Sequence, residues 1–174
     1  MNLIPSFSVD HNKIIPGVYE SRVDLLGEDL VTTFDVRLKK PNAEPAVAPA
    51  AMHTMEHVVA TYLRNHPVWK DRLIYWGPMG CLTGFYIIVK GRPAASEMVP
   101  ILLDAFRYMR DYEGEVPGAA PKNCGNYLMH DLPMAKWEAE RYVRYLENAD
   151  IELITAYPQT ERLVLEDDQA FFDS

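Results

Sequence analysis

Hydrophobic and polar positions along the chain follow two periods. Val18–Leu26 and Leu30–Lys39 alternate in steps of two and predict a β-hairpin, turning through Gly27-Glu28-Asp29. In the second strand Phe34, Val36 and Leu38 share one side, and Asp35, Arg37 and Lys39 the other. Arg37 is then either a solvated edge charge or a group aimed at an anionic ligand. After the Pro/Ala-rich loop Pro41–Pro49 the period lengthens: Met52, Met55, Val59 and Tyr62 recur at three- and four-residue steps. No Gly or Pro lies between Pro49 and Pro67, so Ala50–Asn65 predicts a helix.

Arg72–Trp76 and Phe85–Lys90 predict two further strands, separated by a turn over 77–84 with three glycines in eight residues. Ser96 is placed to cap a helix running to Tyr112, with Ile101, Ala105, Tyr108 and Met109 on its apolar side. A Gly/Pro-rich loop, Gly114–Gly125, leads to Asp131, which caps a helix with Pro133 in its first turn and carrying Trp137, Ala139, Val143 and Leu146. Ile151–Tyr157 reads as a strand, and the acidic tail beyond it is expected to fray. No repeat or linker divides the sequence. The expectation is one α+β domain over 1–174, an antiparallel β-sheet with helices on one face.

Composition narrows the partners. The chain has 174 residues, 48% hydrophobic, and a formal net charge of −8 with no basic run longer than a pair or so. That balance argues against nucleic acid and against anionic membrane surfaces. No apolar window approaches the ~18 residues of a membrane span. The start, MNLIPSFSVDH, has none of the features of a secretory signal, so a reducing cytoplasmic location is expected for the two cysteines, Cys81 and Cys124.

The candidate chemistry centres on the helix over 50–65. His53 and His57 are four apart, hence stacked on one face, with Glu56 beside them. H-x-x-E-H can hold a divalent metal and set a proton acceptor next to it; the competing reading is a helix whose histidines are only hydrogen-bonded or solvated. Cys124, in a loop before Gly125, would complete three protein ligands with one open position, as catalytic sites require; otherwise it is a small packed hydrophobe. Cys81 lies in a Gly-bounded turn, either presented to a cavity as a proton-moving thiol or packed. A metallopeptidase would instead need a carboxylate as third ligand, with Glu113, Glu115 and Glu138 as candidates. Ser6 and His11 by themselves look like ordinary surface residues.

Taken together, SFSVDH (6–11), TTFDVRLKKPN (32–42), HTMEH (53–57), LRNH (63–66), GPMGCLTGFY (77–86) and CG (124–125) occur in the order found in the S-ribosylhomocysteine lyase (LuxS) family. The chain resembles that family over nearly its whole length, to about Leu146. The resemblance implies cleavage of S-ribosylhomocysteine to homocysteine and dihydroxypentanedione, the autoinducer-2 precursor, by a homodimer with active sites at the subunit interface. It implies His53, His57 and Cys124 as metal ligands, Glu56 and Cys81 as the acid/base pair, and Ser6, His11, Arg37 and Arg64 as substrate contacts. It also implies ferrous iron, Fe(2+), replaceable by zinc or cobalt. Two positions depart from many members: Leu82, where Arg or Gln is common, and Tyr75, where an acidic residue is common. Neither is a ligand or an acid/base residue, so activity is expected to survive both.

Overall fold

In the computed structural model the described residues are 9–158. Their order is β1 (Gly17–Leu26), β2 (Asp29–Arg37), α1 (Pro49–Asn65), β3 (Leu73–Pro78), β4 (Gly84–Lys90), α2 (Ala95–Asp111), α3 (Leu132–Asn148) and α4 (Ile151–Thr155). The strands form one antiparallel sheet in the order β1-β2-β4-β3. The fold class is the α+β arrangement expected from the sequence.

The first hairpin closes more tightly than predicted. Leu26 pairs with Asp29, leaving Gly27 and Glu28 to turn, with Gly27 at φ +65. That left-handed value suits glycine, which has no Cβ to clash. Because β2 is flanked by β1 and β4, it is a central strand. Phe34, Val36 and Leu38 face the helices as the alternation predicts, yet Asp35 and Arg37 are buried on the opposite side, and Lys39, beyond the end of β2, is buried against Glu138 of α3. The solvated-edge reading of Arg37 is therefore overturned.

α1 begins with Pro49 in its first turn, where a missing N–H costs nothing. Met52, Met55, Val58, Val59 and Leu63 are buried, while Tyr62 is only partly covered at the edge of that stripe. Its apolar face meets Phe34, Phe85, Ile87, Leu102, Phe106 and Val143 in one core. Trp76 stacks on Phe85 at 4.4 Å, and Phe106 meets Tyr142 edge-on at 4.8 Å.

Three local expectations need correction. Ser96 does not cap α2; the N-cap is Ala94, whose N–H donates to the Glu97 carboxylate at 2.7 Å, and Met98, Leu102 and Phe106 carry the buried stripe rather than Ile101 and Tyr108. Trp137 is exposed on α3, stacked under the Arg141 guanidinium, whereas Asp131 caps that helix as predicted, accepting from Met134 N–H at 2.9 Å. Finally, 151–155 is a helical turn. Asp150 caps it through Glu152 N–H, and only Ile154 is buried, so its apolar residues do not line one strand face.

Candidate functional site

Two residue groups gather the candidate chemistry. The first lies where α1 faces the loop leading into α3. His53 donates its Nδ1 proton to Met129 O at 2.8 Å, and His57 donates its own to Pro117 O at 2.7 Å. A carbonyl can only accept, so both rings carry hydrogen on Nδ1 and present an Nε2 lone pair. Gly118, at φ +72, follows Pro117, and a Cβ there would come within 3.5 Å of His57 Nδ1. Cys124 Sγ lies 3.4 Å from His53 Nε2 and accepts a hydrogen bond from Asn126 N–H at 3.4 Å. With metal–nitrogen and metal–sulfur bonds of about 2.0 and 2.3 Å, tetrahedral neighbours stand about 3.5 Å apart. The donor set therefore fits a divalent cation before any ion is added.

A fourth member joins them that no motif or spacing marks. His130 joins His53, His57 and Cys124, their donor atoms lying within 4.8 Å of one another. Its ring stacks on His53 with centroids 4.3 Å apart and planes at 16°. Thr54, fully buried, organises this corner. Its hydroxyl donates to Ala50 O at 2.8 Å, accepts from Asp131 N–H at 2.9 Å and contacts His130 Nδ1 at 3.2 Å. Burial, and then the nearby His53 and His57 rings, push the His130 pKa down. Among the described residues no carboxylate belongs to this group: Glu138 pairs instead with buried Lys39 at 2.7 Å. That removes the structural basis for a peptidase with Glu138 as third ligand, and Glu113 and Glu115 are likewise absent from the group.

The second group lines a cavity of about 270 Å³ that includes His11, Asp35, Arg37, Cys81, Tyr86 and Tyr157. Arg37 makes a bidentate pair with Asp35, through Nε at 3.0 Å and Nη2 at 2.5 Å, both side chains almost wholly buried. Its Nη1 donates to Thr83 Oγ1 at 2.7 Å and stands 3.9 Å from Cys81 Sγ. Thr83 Oγ1 lies 3.1 Å from that sulfur. Tyr157 donates to Asp35 at 3.0 Å; burial, and next the Asp35 carboxylate, drive its pKa far upward, so it stays a neutral donor. Leu82, at φ +58, turns the chain directly after exposed Cys81, an uncommon conformation for a non-glycine residue and one often found near functional sites.

The remaining candidates are less gathered. Glu56 and His57 line a shallow surface cavity with Pro117, Gly118 and Asn123. Arg64 donates to Leu73 O and Ile74 O at 3.3 and 3.2 Å, tying the end of α1 to β3, and lines neither cavity of its own chain. Ser6 lies outside the described residues. Among the described residues, none lines both the Cys81 cavity and the Glu56–His57 cavity. Tyr75, 46% exposed, lays its hydroxyl against Gly77, where a Cβ would sit 2.0 Å from it.

A small α+β domain that gathers the donor atoms of His53, His57, Cys124 and His130 within 4.8 Å of one another has a donor set that could hold one metal ion. The family model described as S-Ribosylhomocysteinase (LuxS) matches residues 4–152. The chain is 57% identical over 143 residues to the S-ribosylhomocysteine lyase of Phocaeicola vulgatus, covering 82% of this chain and 89% of that one. It is 51% identical over 158 residues to the lyase of Porphyromonas gingivalis, covering 91% and 99%. The lyase of Clostridium beijerinckii is 47% identical over 143 residues, covering 82% and 90%. The chain belongs to the S-ribosylhomocysteine lyase (LuxS) family.

Proposed function

We propose that this chain cleaves S-ribosyl-L-homocysteine to L-homocysteine and dihydroxypentanedione, the autoinducer-2 precursor, as one lyase domain over 1–174. The observation that carries the reading is the convergence of His53 Nε2, His57 Nε2 and Cys124 Sγ, with both Nδ1 protons fixed on backbone carbonyls, in a chain of this family. A divalent cation held by these three residues supplies Lewis acidity. Fe(2+) is the proposed native ion, with Zn(2+) or Co(2+) able to substitute, since imidazole and thiolate suit all three.

The thioether bond breaks only when the carbon next to the leaving sulfur's carbon carries an acidic proton. The carbonyl of the opened sugar must therefore move along the chain by two enolisations before β-elimination. Cys81 takes a proton from carbon and returns it to the neighbouring carbon in each enolisation. Glu56, beside the metal ligands, carries protons between oxygens and assists departure of the homocysteine thiol. Arg37 and His11 border the Cys81 cavity and hold the substrate there, with Ser6 and Arg64 as further contacts. No redox step occurs, because the carbonyl's movement is an isomerisation and the elimination conserves electrons.

The site is proposed to form between two chains of a homodimer. Proton transfer to carbon requires a group within hydrogen-bond reach of the substrate, while the Cys81 cavity includes none of the three metal donors. The Cys81 group of one subunit would then face the His53–His57–Cys124 group of its partner. Two free thiols, one of them a ligand, suit a cytoplasmic location. No helix of the described residues is long and apolar enough to cross a membrane.

The test is metal analysis of anaerobically purified protein combined with thiol release from S-ribosylhomocysteine. About one metal per chain and stoichiometric homocysteine are expected. Full metal content with no thiol release overturns the lyase reading.

A further inference from the structure

The stretch after α4 carries a side chain into the Cys81 cavity. Ile154 is buried in the helix-side core, whereas Tyr157 lines the cavity on the opposite face of the sheet. Between these two residues the chain therefore rounds β1, the outer strand. Gly17 permits the passage, since a Cβ there would sit 2.4 Å from Ile154 O. The Tyr157 ring then stacks on Tyr19, with centroids 4.7 Å apart and planes at 12°. Tyr19 is itself wholly buried, its hydroxyl donated to Ile15 O at 2.8 Å. The stack fixes where the Tyr157 hydroxyl points.

That hydroxyl donates to Asp35 Oδ2 at 3.0 Å, the same oxygen that takes Arg37 Nη2, while Oδ1 takes Arg37 Nε at 3.0 Å. Among the described residues Tyr157 is the one hydrogen-bond donor to the Asp35 carboxylate besides Arg37. Burial, and next the Asp35 carboxylate, raise the Tyr157 pKa, so its proton stays in place to donate. A carboxylate with Arg37 as its sole partner could still rotate and carry the guanidinium with it; a second donor from a fixed ring locks its plane. Of the five N–H groups of Arg37, two go to Asp35 and one to Thr83 Oγ1 at 2.7 Å. Two remain for a ligand in the cavity, one of them on Nη1, which stands 3.9 Å from Cys81 Sγ.

Resting on the lyase reading, that ligand is the substrate, whose hydroxyl, carbonyl and carboxylate oxygens all accept hydrogen bonds. We infer that Tyr157 is a positioning residue: by donating to Asp35 it locks the carboxylate that aims Arg37, so that the guanidinium meets substrate oxygens beside Cys81.

The experiment uses the zinc-loaded full chain and Tyr157→Phe, which keeps the stacked ring and removes the hydroxyl. Rates of Cys81 alkylation by anionic iodoacetate and by neutral iodoacetamide are compared by peptide mass spectrometry, and KM and kcat are measured for thiol release from S-ribosylhomocysteine. The ratio of the two alkylation rates reports the guanidinium's place beside the sulfur without using the substrate. In Tyr157→Phe it should fall by up to about fivefold, the weight of one unit charge at about 4 Å in water. KM should rise about tenfold, as loss of one aimed hydrogen bond implies, with kcat nearly kept. Tyr19→Phe, which removes the stacked partner's hydroxyl and leaves the Asp35 contact, should match the parent in both ratio and KM. An unchanged alkylation ratio in Tyr157→Phe overturns the inference. So does a lower kcat at unchanged KM, the mark of fewer folded molecules, and so does an equal effect of Tyr19→Phe. If the parent releases no thiol, the lyase reading fails, and the alkylation ratio alone then decides whether Tyr157 places Arg37.

Discussion

Thr83→Val removes one hydroxyl that stands between Arg37 and Cys81 and little else, since valine has nearly the shape of threonine. That hydroxyl accepts from Arg37 Nη1 at 2.7 Å and lies 3.1 Å from Cys81 Sγ. Arg37 is 2% exposed, so water cannot readily replace the lost acceptor. A hydrogen bond to a charged group contributes about 1.5–3 kcal/mol. At about 2–4 °C per kcal/mol for a domain of this size, Thr83→Val should melt roughly 3–12 °C below the parent, whereas Thr83→Ser should stay close to it. The bidentate Asp35 pair remains, so the fold should persist. Cys81 loses its nearest hydrogen-bonding partner, so its alkylation by iodoacetamide, followed by peptide mass spectrometry, should change in Thr83→Val and not in Thr83→Ser. Turnover of S-ribosylhomocysteine should fall about tenfold for each ~1.4 kcal/mol lost at the reacting sulfur. Equal melting temperatures and equal Cys81 alkylation in the two variants would refute the coupling.

Three further outcomes are expected. Cys124→Ala and His57→Ala should each lose metal and turnover together while keeping the parent's circular dichroism; either variant holding one metal per chain sinks the ligand assignment. Cys81→Ala should keep metal and abolish solvent deuterium uptake at substrate carbon by NMR, while Glu56→Gln should keep metal and stall after partial carbonyl migration; undiminished uptake in Cys81→Ala gives the carbon base to another residue. Mixing His57→Ala chains with Cys81→Ala chains should restore up to about a quarter of the activity, because a twofold-symmetric hybrid has one site with both groups intact. Mixing Arg37→Ala with Cys81→Ala should restore none, since both residues line one cavity of one chain. Rescue by the second pair and not the first would exclude the shared site.

What the sequence made legible is what periodicity records. The alternation in 30–39 identifies the core face of β2, and the three-four spacing in 50–65 identifies α1 and puts His53 and His57 on one side of it. Asp131 reads as a cap because its partner, Met134, is three residues away. Contacts between distant positions leave no such trace. Thr54 meets His130 across 76 residues, and Arg37 meets Thr83 across 46. Nothing in the spacing of His130 marks it as a neighbour of the ligands; its only local signal is to stand directly before the α3 cap. Thr54, the second residue of H-x-x-E-H, looks like filler in the motif until its hydroxyl is seen to anchor the loop that brings His130 and Asp131 back to α1.

Arg37 shows why alternation misleads at the middle of a sheet. A polar face on one strand normally means water on that side, because an unpaired buried charge is costly. Here the same strand supplies the answer two residues away: Asp35 lies on the same face and neutralises Arg37, and Tyr157 donates to Asp35 from beyond α4. A buried ion pair of this kind contributes little net stability compared with well-packed apolar residues. What it contributes is a guanidinium whose direction is fixed by two oxygens on one side and by Thr83 on the other. Arg37 can therefore point toward the Cys81 cavity without wandering into solvent. The polar side of β2 is thus part of the site's construction, which is why the rule that predicts the core face correctly predicts the exposure of the opposite face wrongly.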